Sequence, residues 1–301
     1  MNPWILTLHR WVALAFALPL AAVILSGLVL SFEPALKAAT PPGSVTEARV
    51  LAVLDAAGPQ AARTALFVRG YEGTATVGGR GGATSYDLAT AQPAQPGPLP
   101  GIFRTARQLH ETLLLDLGWL VTASTIALIL LLPLGLLLGW ERPSNTLRGW
   151  HRASGWFALP LLAASPVTGL MLALGLGFSP GAPPPAQGPA PTTREVVRMV
   201  AERHDLAGLD WIRPIGGRPL VRVMDETGTT RMYRATAEGL VEQPRPWARI
   251  LHEGTWFGLA GSVVNLLVSL VLAGLLATGV ILWARRTLRR ALRRKRRPAA
   301  A

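Results

Sequence analysis

The apolar residues of this chain fall in long unbroken runs, without the 3.6-residue or two-residue periods of a soluble core. Residues 12–32, 117–140, 157–178 and 259–284 each carry enough apolar side chains to cross about 30 Å of hydrocarbon as a helix. No Lys or Arg interrupts any of them before its closing edge. The pattern predicts four transmembrane helices. The first run is longer than the apolar part of a signal peptide, and no small-residue cleavage pattern follows Phe32-Glu33-Pro34, so it reads as a retained anchor.

Between the spans, the polar stretches 33–108 and 179–251 are long enough for small extracytoplasmic domains, while the opposite side has only the connection 141–150. Residues 46–57 and 193–204 read as short helices with Thr46 and Thr192 placed to cap them. Segments 64–69, 73–77 and 83–88 in the first stretch, and 210–214, 220–225 and 229–235 in the second, read as short antiparallel strands with glycine-rich turns. Modules this small are expected to pack against each other or against the membrane surface. Residues 93–100 and 180–191 are proline-rich and predict extended linkers. The glycine run 78–82 lacks the following helix of a phosphate loop and reads as a hairpin turn.

The expected order is therefore a first transmembrane helix (1–32), a first external module and linker (33–100), a second helix (101–140) and a cytoplasmic connection (141–150). A third helix (151–178), a second module and linker (179–247), a fourth helix (248–284) and a basic tail (285–301) complete it.

The net charge of +13 suggests nucleic acid until its position is considered. Nine of the 30 basic residues lie between Arg285 and Arg297, directly after the last span. Such a cluster marks the cytoplasmic side and faces anionic lipid. Arg10, Arg142, Arg148 and Arg152 flank the spans that share that side. Both termini are thus expected in the cytoplasm of a multi-pass protein of a bacterial-type cytoplasmic membrane, with lipid and not nucleic acid as the partner. The chain has no cysteine, which excludes disulfides, Cys-ligated iron–sulfur clusters and covalently attached haem.

The sequence repeats. His9 and His151 are 142 residues apart, as are His110 and His252, and Gly27 and Gly169. Phe16-Ala17-Leu18-Pro19-Leu20 recurs as Phe157-Ala158-Leu159-Pro160-Leu161, and Trp140-Glu141-Arg142 recurs as Trp283-Ala284-Arg285. A duplicated unit containing two spans keeps its membrane orientation, so the duplication is parallel. The fold expected is an all-α membrane bundle of four transmembrane helices with two small extracytoplasmic α+β modules. Its helices would pack through Ser26-Gly27, Thr168-Gly169 and Thr278-Gly279, with local bends at Pro19, Pro133, Pro160 and Pro166.

Four of the five histidines are repeat-related and stand near the start of a span. The topology sorts His9 with His151 on the cytoplasmic side and His110 with His252 on the other. Paired imidazoles suit axial ligation of haem iron for electron transfer. Histidines at helix interfaces also hydrogen-bond or cap, and duplication copies structural residues as readily as ligands. Arg107 and Arg249 stand three residues before His110 and His252, while Arg10 and Arg152 directly follow His9 and His151. These arginines could clamp haem propionates or reach lipid phosphate. Glu111 and Glu253, after the external histidines, read as imidazole partners or exposed charges. His204 has no repeat partner, and the tryptophans at span ends read as interface anchors.

Leu8-His9-Arg10-Trp11, Leu109-His110-Glu111, Trp150-His151-Arg152, Thr168-Gly169, Leu251-His252-Glu253-Gly254, Phe257-Gly258 and Thr278-Gly279 together resemble the PepSY-associated transmembrane family. The resemblance implies PepSY-like external modules and two non-covalent b-type haems ligated by His9, His110, His151 and His252. It also implies electron transfer to an extracytoplasmic acceptor, with ferric iron or a ferric siderophore as candidate substrate and ferric-siderophore reductase as the candidate enzyme class. A quinol or a separate reductase would be the donor, since no flavin- or nicotinamide-binding pattern is present. Self-association into a homo-oligomer is compatible with this reading. The competing expectation is a nonenzymatic envelope scaffold or regulator that binds partners through its PepSY-like modules.

Overall fold

The computed structural model describes residues 3–79, 82–140, 142–176 and 188–295. The chain divides into two compact units: Met1–Leu30, Thr105–Leu176 and Asn265–Ala301 form a helical unit, and Ser31–Arg104 with Gly177–Val264 form a unit built on a sheet.

Among the described residues, three helical stretches are long and apolar enough to cross a membrane: Ala17–Ala38, Gly118–Leu137 and Gly258–Arg293. A fourth is counted if the pair α7 (Leu147–Phe157) and α8 (Leu159–Ala173), bent by 69°, is one span. The helical unit turns large apolar side chains outward, while its interior mixes Ser26, Ser124 and Thr168 with Leu20, Ile24, Leu131 and Leu162. Leu18 is 83% exposed and Leu137 64%, whereas Ser124 is 0% exposed. That inversion suits a lipid solvent, where small residues let helices approach. The buried hydroxyls cost little because Ser26, Ser124 and Thr168 donate to the carbonyls of Ala22, Leu120 and Ala164 in their own helices. Helix α6 (Gly118–Leu137) packs against α1 (Pro3–Ala15), α2 (Ala17–Leu30), α7 and α8.

The expected continuous spans are in fact segmented. Pro19 and Pro160 lack an N–H, and their rings crowd the carbonyl four residues back, so α1 gives way to α2 at Phe16 and α7 to α8 at Ala158. The repeated Phe-Ala-Leu-Pro motif thus interrupts the helix in both copies, at the Phe in the first and at the Ala in the second, where the bend is 69°. Pro133 and Pro166 lie inside α6 and α8, which continue through them. Helix α5 (Pro98–Thr112) is separated from α6 by a turn in which Leu113, Leu114 and Asp116 have φ of 54°, 63° and 54°. A straight helix running from His110 to Trp140 is therefore corrected to two helices. Pro98 to Pro100 open α5 and do not belong to a linker. Most of the other expected linker, 180–191, lies outside the described residues, as do Glu141, Phe178 and the end of the basic tail.

In the second unit the two polar stretches between the apolar runs do not build separate sheets. Strands β1 (Leu66–Arg69), β2 (Thr74–Gly79), β3 (Gly82–Asp87), β4 (Leu209–Ile215), β5 (Arg218–Met224), β6 (Thr230–Thr236) and β7 (Gly239–Glu242) form one antiparallel sheet in the order β3-β2-β1-β4-β5-β6-β7. The join is the β1–β4 pair, with Leu66 opposite Ile212 and Phe67 opposite Trp211. Helices α4 (Glu47–Ala57) and α9 (Thr193–Ala201) pack against each other and cover one face. Thr46 caps α4 by accepting from Arg49 N–H, and Thr192 with Glu195 forms a full capping box on α9. Val50, Val53, Val196, Val197 and Val200 meet Leu66, Ile212, Val221 and Val223 in one core. The glycine run forms the β2–β3 turn, with Arg80 and Gly81 outside the described residues.

Because Leu66 sits fully buried at the join of the two halves, Leu66→Ala is expected to cost about 2–5 kcal/mol. Val241→Ala on the exposed edge strand should stay within about 0.5 kcal/mol. Hydrogen exchange of the β1 and β4 amides measures both, and equal effects would contradict a shared core.

Candidate functional site

Each repeat-related histidine lies on a short helix that ends just before a break: His9 on α1, His110 on α5, His151 on α7 and His252 on α10 (Trp247–Glu253). His9, His110 and His151 belong to the helical unit, and His252 to the sheet unit.

His110 Nδ1 is 2.9 Å from the Val23 carbonyl oxygen and 3.2 Å from Ser26 Oγ. A carbonyl only accepts, so Nδ1 carries the proton and the lone pair of the neutral ring is on Nε2. His151 Nδ1 is 2.8 Å from Thr278 Oγ1, whose own hydroxyl donates to the Gly274 carbonyl at 2.6 Å. Thr278 therefore accepts from His151, which fixes the same tautomer. His9 Nδ1 is buried without a hydrogen bond of good geometry, although the Leu131 carbonyl acts on the ring. His9 and His151 are both placed at the C-terminal end of α6, His9 beside Gly135 and His151 through the neighbouring Arg152 on the Leu138 and Gly139 carbonyls.

A glycine faces each of these three rings. A Cβ on Gly27 would come within 3.1 Å of His110 Cε1, one on Gly135 within 3.7 Å of His9 Cε1, and one on Gly279 within 3.5 Å of His151 Cε1. His9 with Gly135 and His151 with Gly279 are the same arrangement in the two repeats.

The neighbouring charges are placed as follows. Arg152 Nη2 donates to the carbonyls of Leu138, at 2.9 Å, and Gly139, satisfying the C-terminal end of α6. Arg10 lies over the Trp11 ring at 6.0 Å. Arg249 donates to Glu253 at 3.1 Å, one turn along α10. Glu253, expected to be an imidazole partner or an exposed charge, is also held by Arg222 of β5. Arg107 lies one turn before His110 on α5, and Glu111 follows His110 there. His204 stacks on Tyr233 with ring centroids 5.1 Å apart, and burial lowers its basicity.

The sequence reading missed a buried charge cluster centred on Asp210. A bulge in β4 makes Asp210 an extra residue between Leu209, opposite Val223, and Trp211, opposite Arg222. The offset lets both Leu209 and Ile212 face the core. Lys37 Nζ, on α3 (Phe32–Ala38), is 3.1 Å from Asp210 and 3.0 Å from Glu33; Arg69 is 3.2 Å from Asp210 and Arg222 is 3.5 Å from it. Burial alone would raise the Asp210 carboxyl, but Lys37, Arg222 and Arg69 together outweigh it and hold it at about 2. The available signal was an acidic residue set among Leu209, Trp211 and Ile212, with arginines at strand positions 69, 213 and 222.

Apolar outward faces on helices of spanning length define an integral membrane protein. The model of the PepSY-associated TM region matches residues 6–286, nearly the whole chain, and the chain belongs to that family. No curated protein matches it in sequence.

The Asp210 carboxyl is held below its unfolded value of about 3.9, so its contribution is complete above that pH and is lost as pH falls towards about 2. Asp210→Asn removes the carboxylate that Lys37, Arg69 and Arg222 share, leaving Lys37 to Glu33 and Arg222 to Glu253, and is expected to cost about 3 kcal/mol near neutral pH. The gap between wild type and variant should narrow by on the order of 2 kcal/mol between pH 5 and pH 2. Hydrogen exchange of the sheet amides at each pH measures it; a gap independent of pH would contradict a charged Asp210.

Proposed function

We propose that this chain is a membrane electron-transfer protein that holds two non-covalent b-type haems and serves an extracytoplasmic acceptor, with ferric iron or a ferric siderophore as the candidate substrate. The observation that carries the reading is the state of the histidines. His110 and His151 have Nδ1 committed to an acceptor, which directs their lone pairs to Nε2, and a side-chain-free glycine faces each ring. Such a hydrogen bond fixes the tautomer, orients the ring and raises the basicity of the ligating nitrogen. His9 and His151 are the residues that would hold one haem, supported by the placement of His9 and of Arg152, next to His151, at the same end of α6. The sequence repeat assigns the other to His110 and His252.

A haem held by paired histidines would supply reversible one-electron chemistry. The chain's residues supply the setting: apolar helices exclude water, and Arg10, Arg107, Arg152 and Arg249 are the cations that would meet propionates, Arg152 by exchanging its α6 carbonyl partners and Arg249 by exchanging Glu253. The finer architecture proposed is four spans, with the bent α7–α8 pair as the third, in a parallel duplication. Both termini would be cytoplasmic and the two PepSY-like halves of the sheet extracytoplasmic, as the arginine distribution favours. A quinol or a separate reductase would be the donor. One electron delivered to a chelated ferric ion produces the softer ferrous ion, which oxygen chelators hold less firmly.

Protein purified from haem-replete membranes is expected to carry two low-spin haems per chain. Gly27→Val should abolish or shift one low-spin signal in electron paramagnetic resonance, because even the first added carbon meets His110 at 3.1 Å. Gly135→Ala, whose added carbon makes an ordinary contact at 3.7 Å, should keep both. Wild-type protein without stoichiometric haem would reject this function and favour a binding scaffold.

A further inference from the structure

Helix α10 is only seven residues long and ends at Gly254 in a left-handed conformation. An isolated helix of that length is not stable in water, so its position is set by what grips it. Ala248 and Ile250 bury its apolar face, and the β5–β6 hairpin adds two further grips. The first is Arg222, which reaches from β5 to Glu253 Oε2 while Arg249 takes Oε1 at 3.1 Å. Both carboxylate oxygens of the residue next to His252 are thus engaged by guanidinium groups. The second is the hairpin turn at Gly228, so close to the start of α11 (Gly258–Lys295) that a Cβ there would stand 2.5 Å from Gly258 Cα. These grips hold the chain immediately after His252 and again six residues beyond it.

Arg222 is itself fixed. Its Nε is 3.5 Å from Asp210, which also receives Lys37 and Arg69, and its side chain is only 17% exposed. A buried guanidinium bridging two carboxylates has little rotational freedom, because moving it strands a charge in a low-dielectric site. The register places Arg222 directly opposite Trp211, beside the bulge that aims Asp210. An unbroken series of ion pairs therefore runs from the centre of the sheet through Asp210 and Arg222 to Glu253.

We propose that Asp210, Arg222 and Glu253 are positioning residues for His252, fixing the rotation of α10 and thereby the orientation of that imidazole. The assignment rests on the reading of His252 as a haem ligand. The sheet then has a task besides any binding of its own, since its central bulge determines the geometry of a ligand more than 40 residues further along the chain. Arginine suits this bridge because its planar fork can address both carboxylates, whereas lysine presents one compact charge.

The test uses the full chain purified with haem, with His252→Ala identifying which low-spin signal depends on His252. Arg222→Met, Arg222→Lys and Asp210→Asn are compared with Arg194→Met, which removes a more exposed ion pair to Asp55 in the same unit. Thermal stability, haem occupancy, electron paramagnetic resonance and midpoint potential are read for each. The expected result is that Arg222→Met and Asp210→Asn shift the His252-dependent signal and potential and weaken haem retention there roughly tenfold or more. The other haem and Arg194→Met should remain unchanged. Arg222→Lys should keep the fold yet still shift that signal, and it decides the matter if Arg222→Met does not fold. Wild-type protein with two haems whose signals are untouched by Arg222→Lys and Asp210→Asn would overturn the positioning role alone. Wild-type protein lacking haem would overturn the ligand reading and this assignment with it.

Discussion

The antiparallel pairing of β1 with β4 is the contact on which the sheet unit depends. Each polar stretch offers one amphipathic helix and a few short strands, too little apolar surface for an independent core. Setting Leu66 opposite Ile212 joins the strands edge to edge, and α4 and α9 can then cover a single face together. The same pairing removes two exposed strand edges that would otherwise invite aggregation. It also sets Phe67 beside Trp211, and each carries its own arginine, with Arg69 at 5.7 Å and Arg213 at 5.4 Å from the respective ring. The two halves of a duplication thus meet about a local symmetry that their sequences preserve in residue type.

That pairing brings a structural cost to the centre of the sheet. Keeping Leu209 and Ile212 on the core face requires the β4 bulge, which leaves Asp210 buried among cations. A buried carboxylate is tolerated only when its attraction to surrounding cations offsets its lost hydration. Lys37 comes from α3, Arg69 from the first half of the sheet and Arg222 from the second, so the offset is shared among distant segments. Such an arrangement specifies the relative placement of those segments within the sheet unit more strictly than apolar contacts would, because each ion pair has a narrow distance range.

The helical unit follows a different rule. Lipid provides no hydrophobic drive between helices, so association rests on close packing and on polar groups satisfied within each helix. Serine and threonine bond back to their own carbonyls, and glycines face the imidazoles. Proline-induced breaks place the histidines of α1 and α7 on separate short helices ahead of the apolar segments. The repeated break and the repeated histidine–glycine contact show how one local solution is used twice by one sequence motif.

Much of this was legible from local sequence. Apolar run length marked the membrane-crossing segments, Thr46 and Thr192 marked helix starts, and the recurrence of His, Gly and Phe-Ala-Leu-Pro marked the repeat. These signals are short-range: a missing N–H or a capping hydroxyl acts within one turn, and run length requires no knowledge of neighbours. What only the tertiary structure decided depends on residues far apart in the chain. Leu66 meets Ile212 across 146 positions, Lys37 meets Asp210 across 173, and the Nδ1 partners of His110 and His151 lie at Val23 and Thr278. The turn at Leu113, Leu114 and Asp116 was equally hidden, because no glycine or proline announces its positive φ values. The sequence by itself determined which segments are apolar and where capped helices start, whereas which prolines interrupt a helix was left to the fold, since α6 and α8 run through Pro133 and Pro166. Register, bulge and charge pairing were left to the folded chain, since each minimises the burial of unpaired polar groups among segments that meet only after folding.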